Sequence, residues 1–414
     1  MADDLYRSAL RARMAKLPPL PPWETRAPGA EAEDGEGGGD VDMGLGTGEE
    51  GESAHAEDEE MDDEDSVGEL PSLNTIPRLS HRSRVPVDYT PLSAAGYFDQ
   101  SLSLSLPARQ LEVRLYYTPP LVRPGEANGN GKGALLVAHH GAGSGALSFA
   151  MFAKEVREQS KGECGVLAAD CRGHGKTTST SGPSGDLLLS QPDLSLDLLS
   201  LLTTLFPTPS EAPNLVLVGH SMGASVVLGV LPELLERGYG VTGVAVIDVV
   251  EGTALEALPH MRSLLLTRPK GFPSLEKAIQ WHVGNNTIRN LQSARISVPA
   301  LFVKNEDADA RAEVQWVWRA PLEKTEPFWE GWFTSLSTRF LTARAARLLL
   351  LAGAERLDKP LMIGQMQGKF QLVVLPGVGH HLQEDDPAKS AEVVVEFWRR
   401  NERVRVGVKR VGER

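Results

Sequence analysis

Six residues, Val218-Gly219-His220-Ser221-Met222-Gly223, leave the surrounding chain little choice of fold. Before them, Asn214 to Val218 is short, apolar and rich in Val and Leu, and it reads as a buried strand. After them, Ala224 to Leu235 is rich in Ala, Val and Leu and reads as a helix. A G-x-S-x-G between strand and helix is the pattern of a nucleophile elbow, a sharp turn that lifts one serine above the end of a sheet. Gly219 and Gly223 suit it, because strand and helix backbones pass too close there to leave room for a Cβ. Ser221 would stand at the first turn of the helix, where the positive end of the dipole favours a developing anion.

The rest of the chain is consistent with such a core. From Val85 on, Tyr97 to Leu106 alternates, with Phe98, Leu102, Leu104 and Leu106 on one face, and Leu111 to Tyr117 alternates again after a turn at Pro107. This predicts an antiparallel hairpin at a sheet edge. A βα rhythm follows, with strands at Ala134 to Ala138, Gly165 to Ala169 and Val241 to Ile247. Helices are expected at Ser148 to Gln159 and at Asp193 to Phe206, the latter capped by Asp193. Such alternation implies an α/β fold with a mostly parallel, doubly wound sheet. The rhythm breaks over about 249–345, with helical pieces at Leu275 to His282 and Pro327 to Leu341, and five of the seven tryptophans fall there. That concentration marks a helical cap insertion packing as a body over the active end of the sheet. Strands resume at Arg347 to Ala352 and Phe370 to Leu375. Asp386-Pro387 opens a last helix with an apolar stripe of Ala391, Val394, Val395 and Trp398.

Charge separates the ends from the middle. The formal net charge is −13, yet Glu31 to Leu70 alone holds 18 Asp and Glu and no Lys or Arg, so the remainder is mildly basic. Residues 1–85 are expected to be a disordered acidic tail, 86–402 the folded domain and 403–414 a flexible end. No Lys/Arg stripe with interleaved aromatics suggests nucleic acid. No apolar run approaches the roughly 18 residues of a membrane span, and the N-terminus lacks the pattern of a signal peptide. Two cysteines, Cys164 and Cys171, suit a reducing compartment. The expectation is a monomeric protein of the cytoplasm or nucleus.

A serine hydroxyl needs a base to take its proton and a third group to orient that base. In folds built on such an elbow, the chain order is nucleophile, acid, histidine. His380 lies after the last strand and is preferred over the adjacent His381, because Gly379 before it permits a tight loop. For the acid, residue spacing leaves Asp248 and the pair Glu355 and Asp358 open, all being carboxylates at strand ends. Oxyanion donors are expected from the backbone N–H of Met222 and from the loop His139-His140-Gly141-Ala142-Gly143-Ser144, with Ala142 as the donor. Asp170-Cys171-Arg172-Gly173-His174-Gly175-Lys176-Thr177 fails as a phosphate loop, since Asp170 stands where the first glycine belongs. Arg172 and His174 are read as braces. No Cys/His spacing suggests zinc, and neither metal nor cofactor is expected.

Several longer stretches carry a family likeness: V-G-H-S-M-G, Ile247 to Ala254 (I-D-V-V-E-G-T-A), Glu330-Gly331-Trp332-Phe333, Leu348 to Phe370, and Gly379-His380 with Glu384-Asp385. Over roughly residues 85–400 the chain resembles the protein phosphatase methylesterase family of the α/β-hydrolase superfamily, and within it the fungal members. The resemblance implies removal of the methyl ester from the C-terminal leucine of the type 2A protein phosphatase catalytic subunit, which would be the protein partner. By motif it implies Ser221 as nucleophile, Asp248 as acid and His380 as base. The oxyanion loop reads H-G-A-G-S where many relatives look like H-G-G-G-H, and the acidic block precedes the domain instead of interrupting the cap. Competing readings are another serine esterase, lipase or peptidase, and a phosphatase-binding protein with an incidental hydrolase site. Epoxide hydrolases and dehalogenases are disfavoured, because they place Asp at the elbow.

Overall fold

The computed structural model describes residues 86–121, 133–182, 187–306, 313–353 and 357–407, with side chains as far as 402. The expected acidic tail, Glu355 and the chain beyond 407 lie outside the described residues. In chain order the first half contains β1 (Gln100–Leu106), β2 (Leu111–Thr118), β3 (Ala134–His139), α1 (Ala150–Gln159), β4 (Cys164–Ala169), β5 (Thr178–Ser179), α2 (Gln191–Leu205), β6 (Asn214–His220), α3 (Met222–Glu236) and β7 (Val241–Ile247). An insertion follows, made of α4 (Glu251–Thr267), β8 (Gly271–Phe272), α5 (Leu275–Gly284), α6 (Leu291–Ser297), β9 (Phe302–Lys304), β10 (Trp316–Trp318), α7 (Trp329–Phe333) and α8 (Leu336–Thr342). The chain returns through β11 (Ala346–Leu351), α9 (Lys359–Met366), β12 (Gln371–Val374), α10 (Leu382–Asp385) and α11 (Pro387–Gly407).

The main sheet runs β1-β2-β4-β3-β6-β7-β11-β12, with β5 beside β2. Pairing is antiparallel on the β1 side, up to β2–β4, and parallel from β4 to β12. All residues of β3 and β7 are buried, which is what a parallel strand covered on both faces requires. Strand periodicity divides these side chains between two cores. Leu135, Val137, Leu215, Leu217, Val244 and Val246 join the face covered by α2 and α3. Their neighbours Leu136, Ala138, Val216, Val218, Ala245 and Ile247 join the face covered by α1 and α11. The carboxyl ends of the parallel strands all open on one edge, the usual place for a site in such sheets.

Some local expectations need correction. Leu102 is 41% exposed, because β1 pairs only with β2 and its outer half overhangs the core. The cap of α2 is Ser190: its Oγ accepts from the Asp193 N–H and donates to the Asp193 carboxylate, so Asp193 lies inside the first turn. The insertion holds more than helices. β8, β9 and β10 form a second, three-stranded sheet, whose strands of two or three residues are too short to leave a periodic signal. Its tryptophans also divide. Trp281, Trp316 and Trp318 pack on the insertion's own cluster around Phe272 and Phe302, whereas Trp329 and Trp332 belong to the main core. No described helix is long and apolar enough to cross a membrane.

Candidate active site

Ser221 and Asp248 are the residues immediately after β6 and β7, so adjacent parallel strands deliver them side by side. The Ser221 N–H donates to the Ile247 carbonyl (3.0 Å), and the Asp248 N–H to the Leu350 carbonyl (2.8 Å). Both residues have positive φ, 54° at Ser221 and 49° at Asp248, although neither is glycine. Strain of this kind persists only where the surroundings over-determine it, and it concentrates at functional sites. At Ser221 the surroundings include two close approaches. A Cβ on Gly223 would sit 2.2 Å from the His139 carbonyl oxygen, and one on Gly219 would sit 2.5 Å from the Ala224 Cα.

His380 reaches this edge from the loop after β12. Its Nδ1–H donates to the Asp248 Oδ2 at 2.9 Å, with both side chains buried. The other carboxylate oxygen accepts from the Ala352 N–H at 2.9 Å, so Asp248 is held from two sides. With Nδ1 donating, Nε2 carries the lone pair a base needs. The Ser221 Oγ is buried and has no hydrogen-bond partner among the described residues. Of the rival acids, Asp358 caps α9, accepting from Leu361 N–H and Ser337 Oγ, and is thereby committed elsewhere. His381 is turned to the Thr287 carbonyl. Gly379 matters through contact and not through φ: its N–H donates to Asp385 Oδ2, where a Cβ would come within 2.9 Å of that oxygen.

The Met222 N–H opens α3, among the helix-end donors with no intrahelical acceptor. The facing loop is pinned by histidines that burial keeps neutral. The Gly143 N–H donates to His174 Nε2 (2.9 Å), whose Nδ1–H donates to the Arg172 carbonyl (3.0 Å). Burial lowers the His174 pKa, holds His139 at about 4 and pushes His140 well below the ordinary value. Arg172 is buried and grips both oxygens of Asp197 at 2.8 Å, so the brace is itself braced.

Sequence reading missed several positioning residues. His220 Nε2–H donates to the His380 carbonyl (2.8 Å), tying the elbow to the histidine loop. Asp385 receives the Arg289 N–H (2.7 Å) as well as that of Gly379, and the Arg289 guanidinium bonds to the Gly377 carbonyl. No local motif announces the His220–His380 and Arg289–Asp385 pairs, because their partners lie far apart in the chain.

Beside the site, the loop of Ala142 to Ser144 and the insertion enclose an apolar cavity walled by Leu264, Leu265, Ile288, Trp318, Leu322 and Trp329. Ala142 and His381 also line it, whereas Ser221 and His380 do not, so it adjoins the reacting centre without containing it. Its polar groups include Arg268, which stacks 4.6 Å from the Trp318 ring, and Glu384. Burial pushes the Glu384 carboxyl well above the usual range, against the hydrogen bond from Ser297 Oγ.

Comparison with known proteins agrees with this architecture. A model of the alpha/beta hydrolase family matches residues 135–393. The protein phosphatase methylesterase 1 of Cryptococcus neoformans var. neoformans serotype D (strain JEC21) is 44% identical, covering 99% of this chain and 95% of that protein. The one from Aspergillus fumigatus is 41% identical, covering 97% and 90%. Among solved structures, E-2-(acetamidomethylene)succinate hydrolase superposes with a TM-score of 0.54 at 17% identity, over 72% of this chain and 98% of that one, a likeness of fold alone. With the sheet order, the strained elbow serine and identity along nearly the whole length in agreement, the chain is an α/β-hydrolase enzyme and belongs to the protein phosphatase methylesterase family.

Proposed function

We propose that this enzyme removes the methyl ester from the C-terminal leucine of the type 2A protein phosphatase catalytic subunit by a Ser-His-Asp mechanism. The observation that carries the chemistry is the buried His380–Asp248 hydrogen bond at 2.9 Å, set beside a strained serine that follows the neighbouring strand. The names of the fungal relatives support the substrate. Ser221 attacks the ester carbonyl while His380 Nε2 accepts the hydroxyl proton and Asp248 stabilises the imidazolium that forms. The Ala142 and Met222 N–H groups receive the oxyanion, each contribution of this type being worth about 3 kcal/mol in the barrier. His380 then protonates departing methanol, and water hydrolyses the acyl-enzyme by the same route. Residues of about 249–345 serve as a cap, whose apolar cavity beside Ala142 and His381 suits an aliphatic terminal side chain. Cys164 and Cys171 are buried free thiols, in keeping with a reducing cytoplasm or nucleus.

The test is incubation of methylated phosphatase catalytic subunit with the enzyme and with its Ser221→Ala variant, following the methyl group by mass spectrometry. Loss with the wild type and retention with the variant is the expected result. Retention with both overturns the substrate. Loss with both overturns the role of Ser221.

A further inference from the structure

A second concavity lies away from the reacting centre, between the β1–β2 edge and the insertion, with a volume of about 630 Å³. Three cations from separate segments face it: Arg114 on β2, Lys176 after β4, and Arg319 just past β10. The Nε atoms of Arg114 and Arg319 are buried and have no hydrogen-bond partner among the described residues. The Arg114 guanidinium lies 5.1 Å from the Tyr116 ring centre and is close enough to the Tyr116 hydroxyl to act on its ionisation. No described carboxylate makes an ion pair with any of the three cations.

The acids nearby are already committed. Asp99 lines the groove but pairs with Arg157. Asp170 is buried beneath it, with Oδ1 accepting from the Ala146 N–H (2.8 Å) and Oδ2 from the Lys176 N–H (2.9 Å). Burial raises the Asp170 pKa, and those two backbone donors together with the Arg114 and Arg319 charges oppose it. Two carboxylates, one paired with Arg157 and the other bound by backbone N–H groups, therefore stand near three cations. Buried donors in folded proteins are as a rule satisfied, and here two unpartnered guanidinium Nε groups belong to side chains that line one concavity. Two guanidinium forks and an ammonium offer more donors than the two oxygens of a carboxylate can take, but they match a tetrahedral oxyanion. The remaining wall is mixed, with Phe98, Phe302 and Trp316 beside the polar Ser93, Gln100 and Ser101.

We propose that this groove is a binding site for a phosphate-type oxyanion, held by Arg114, Arg319 and Lys176, either as inorganic phosphate or as the phosphate of a small metabolite whose apolar body packs on Phe98 and Trp316. Because Arg114 belongs to the sheet and Arg319 to the insertion, the bound anion joins the two.

The experiment is calorimetric titration of the full-length chain with sodium phosphate and with adenosine monophosphate, against sodium chloride at equal ionic strength and a polyglutamate peptide. Saturable binding of phosphate with a submillimolar Kd is expected, weakened at least tenfold in Arg319→Gln and in Lys176→Gln, with hydrolysis of a small ester unchanged in both. Equal affinities for the two phosphates identify the free anion as the ligand, and tenfold tighter binding of the nucleotide identifies a metabolite. No saturable response above chloride, undiminished binding in both variants, or a preference for polyglutamate overturns the proposal.

Discussion

The two walls of the cleft are held in place by different means. On the sheet side the parallel pairing does the positioning. Ser221 and Asp248 sit one residue beyond neighbouring strands, with positive φ and backbone bonds that leave them one conformation. On the insertion side the cavity walls come from helices and from strands of two or three residues, with Ile288 and Trp318 on the insertion's own apolar cluster and Leu265 and Trp329 on the main core. That side is joined to the histidine loop by side chains: Arg289 with Asp385, Ser293 Oγ with the Glu384 carbonyl, Ser297 with the Glu384 carboxyl. A wall made by sheet pairing is costly to move, because shifting one strand breaks many bonds together. The Ile288 and Trp318 part of the other wall, which packs on the insertion's own cluster, meets the histidine loop through those polar contacts and moves at the cost of them. On the proposed mechanism, the difference puts reactivity on the sheet side and selection on the insertion side.

That assignment can be broken at either wall. The largest effect belongs to Asp248→Asn, which keeps an acceptor for the Ala352 N–H but gives His380 Nδ1 no negative partner. It should lower kcat on a small ester by about 10³- to 10⁴-fold while leaving the thermal midpoint within a few degrees of the wild type, as read by steady-state kinetics and calorimetry. Next is His174→Ala, which leaves the Gly143 N–H of the proposed oxyanion loop without its acceptor. The expected loss is about 10- to 100-fold in kcat and about 1–3 kcal/mol in stability, with KM little changed. An unchanged kcat would show that the loop holds its shape without the brace.

On the other wall, Leu264→Ala enlarges the apolar cavity. It should raise KM for a leucine methyl ester by about tenfold with kcat nearly constant, and raise it much less for a glycine methyl ester. A fall in kcat equal to that of Asp248→Asn would erase the distinction between the walls. The smallest effect is on pH dependence. Glu384 has its folded pKa raised by burial, so the stability it contributes is fully present below its unfolded value of 4.5. That contribution is lost as pH rises through the folded pKa, where the folded state must bury a charge or open. Glu384→Gln should therefore raise the thermal midpoint at pH 8 by a few degrees and leave it unchanged at pH 4, in paired melts.

The sheet side was legible in the sequence because its positions are set locally. A strand buried on both faces, two glycines and a serine specify the elbow within six residues, and the strand ending at Ile247 specifies where Asp248 emerges. Spacing alone leaves the acid open between Asp248 and the residues after β11, since both follow strands at the same edge of the sheet; the family likeness points to Asp248, and the fold adds that Asp358 is spent on capping α9. Gly379 was singled out for backbone freedom, whereas the space taken by Asp385 is what excludes a side chain there. The insertion was legible as a break in rhythm and a surplus of tryptophan. Its small sheet was not, because Gly271–Phe272 and Trp316–Trp318 are too short for alternation to register. The ties of Arg289, His220 and Glu384 were invisible for another reason: each is a pairing across many residues of chain, and no spacing rule encodes it.

The reacting centre itself is reached most directly by covalent labelling with a fluorophosphonate, mapped by peptide mass spectrometry. Stoichiometric modification of Ser221 in the wild type, slowed by at least about a thousandfold in His380→Ala, is the result this arrangement predicts. Modification at another residue, or labelling of Ser221 at the same rate without His380, would contradict it.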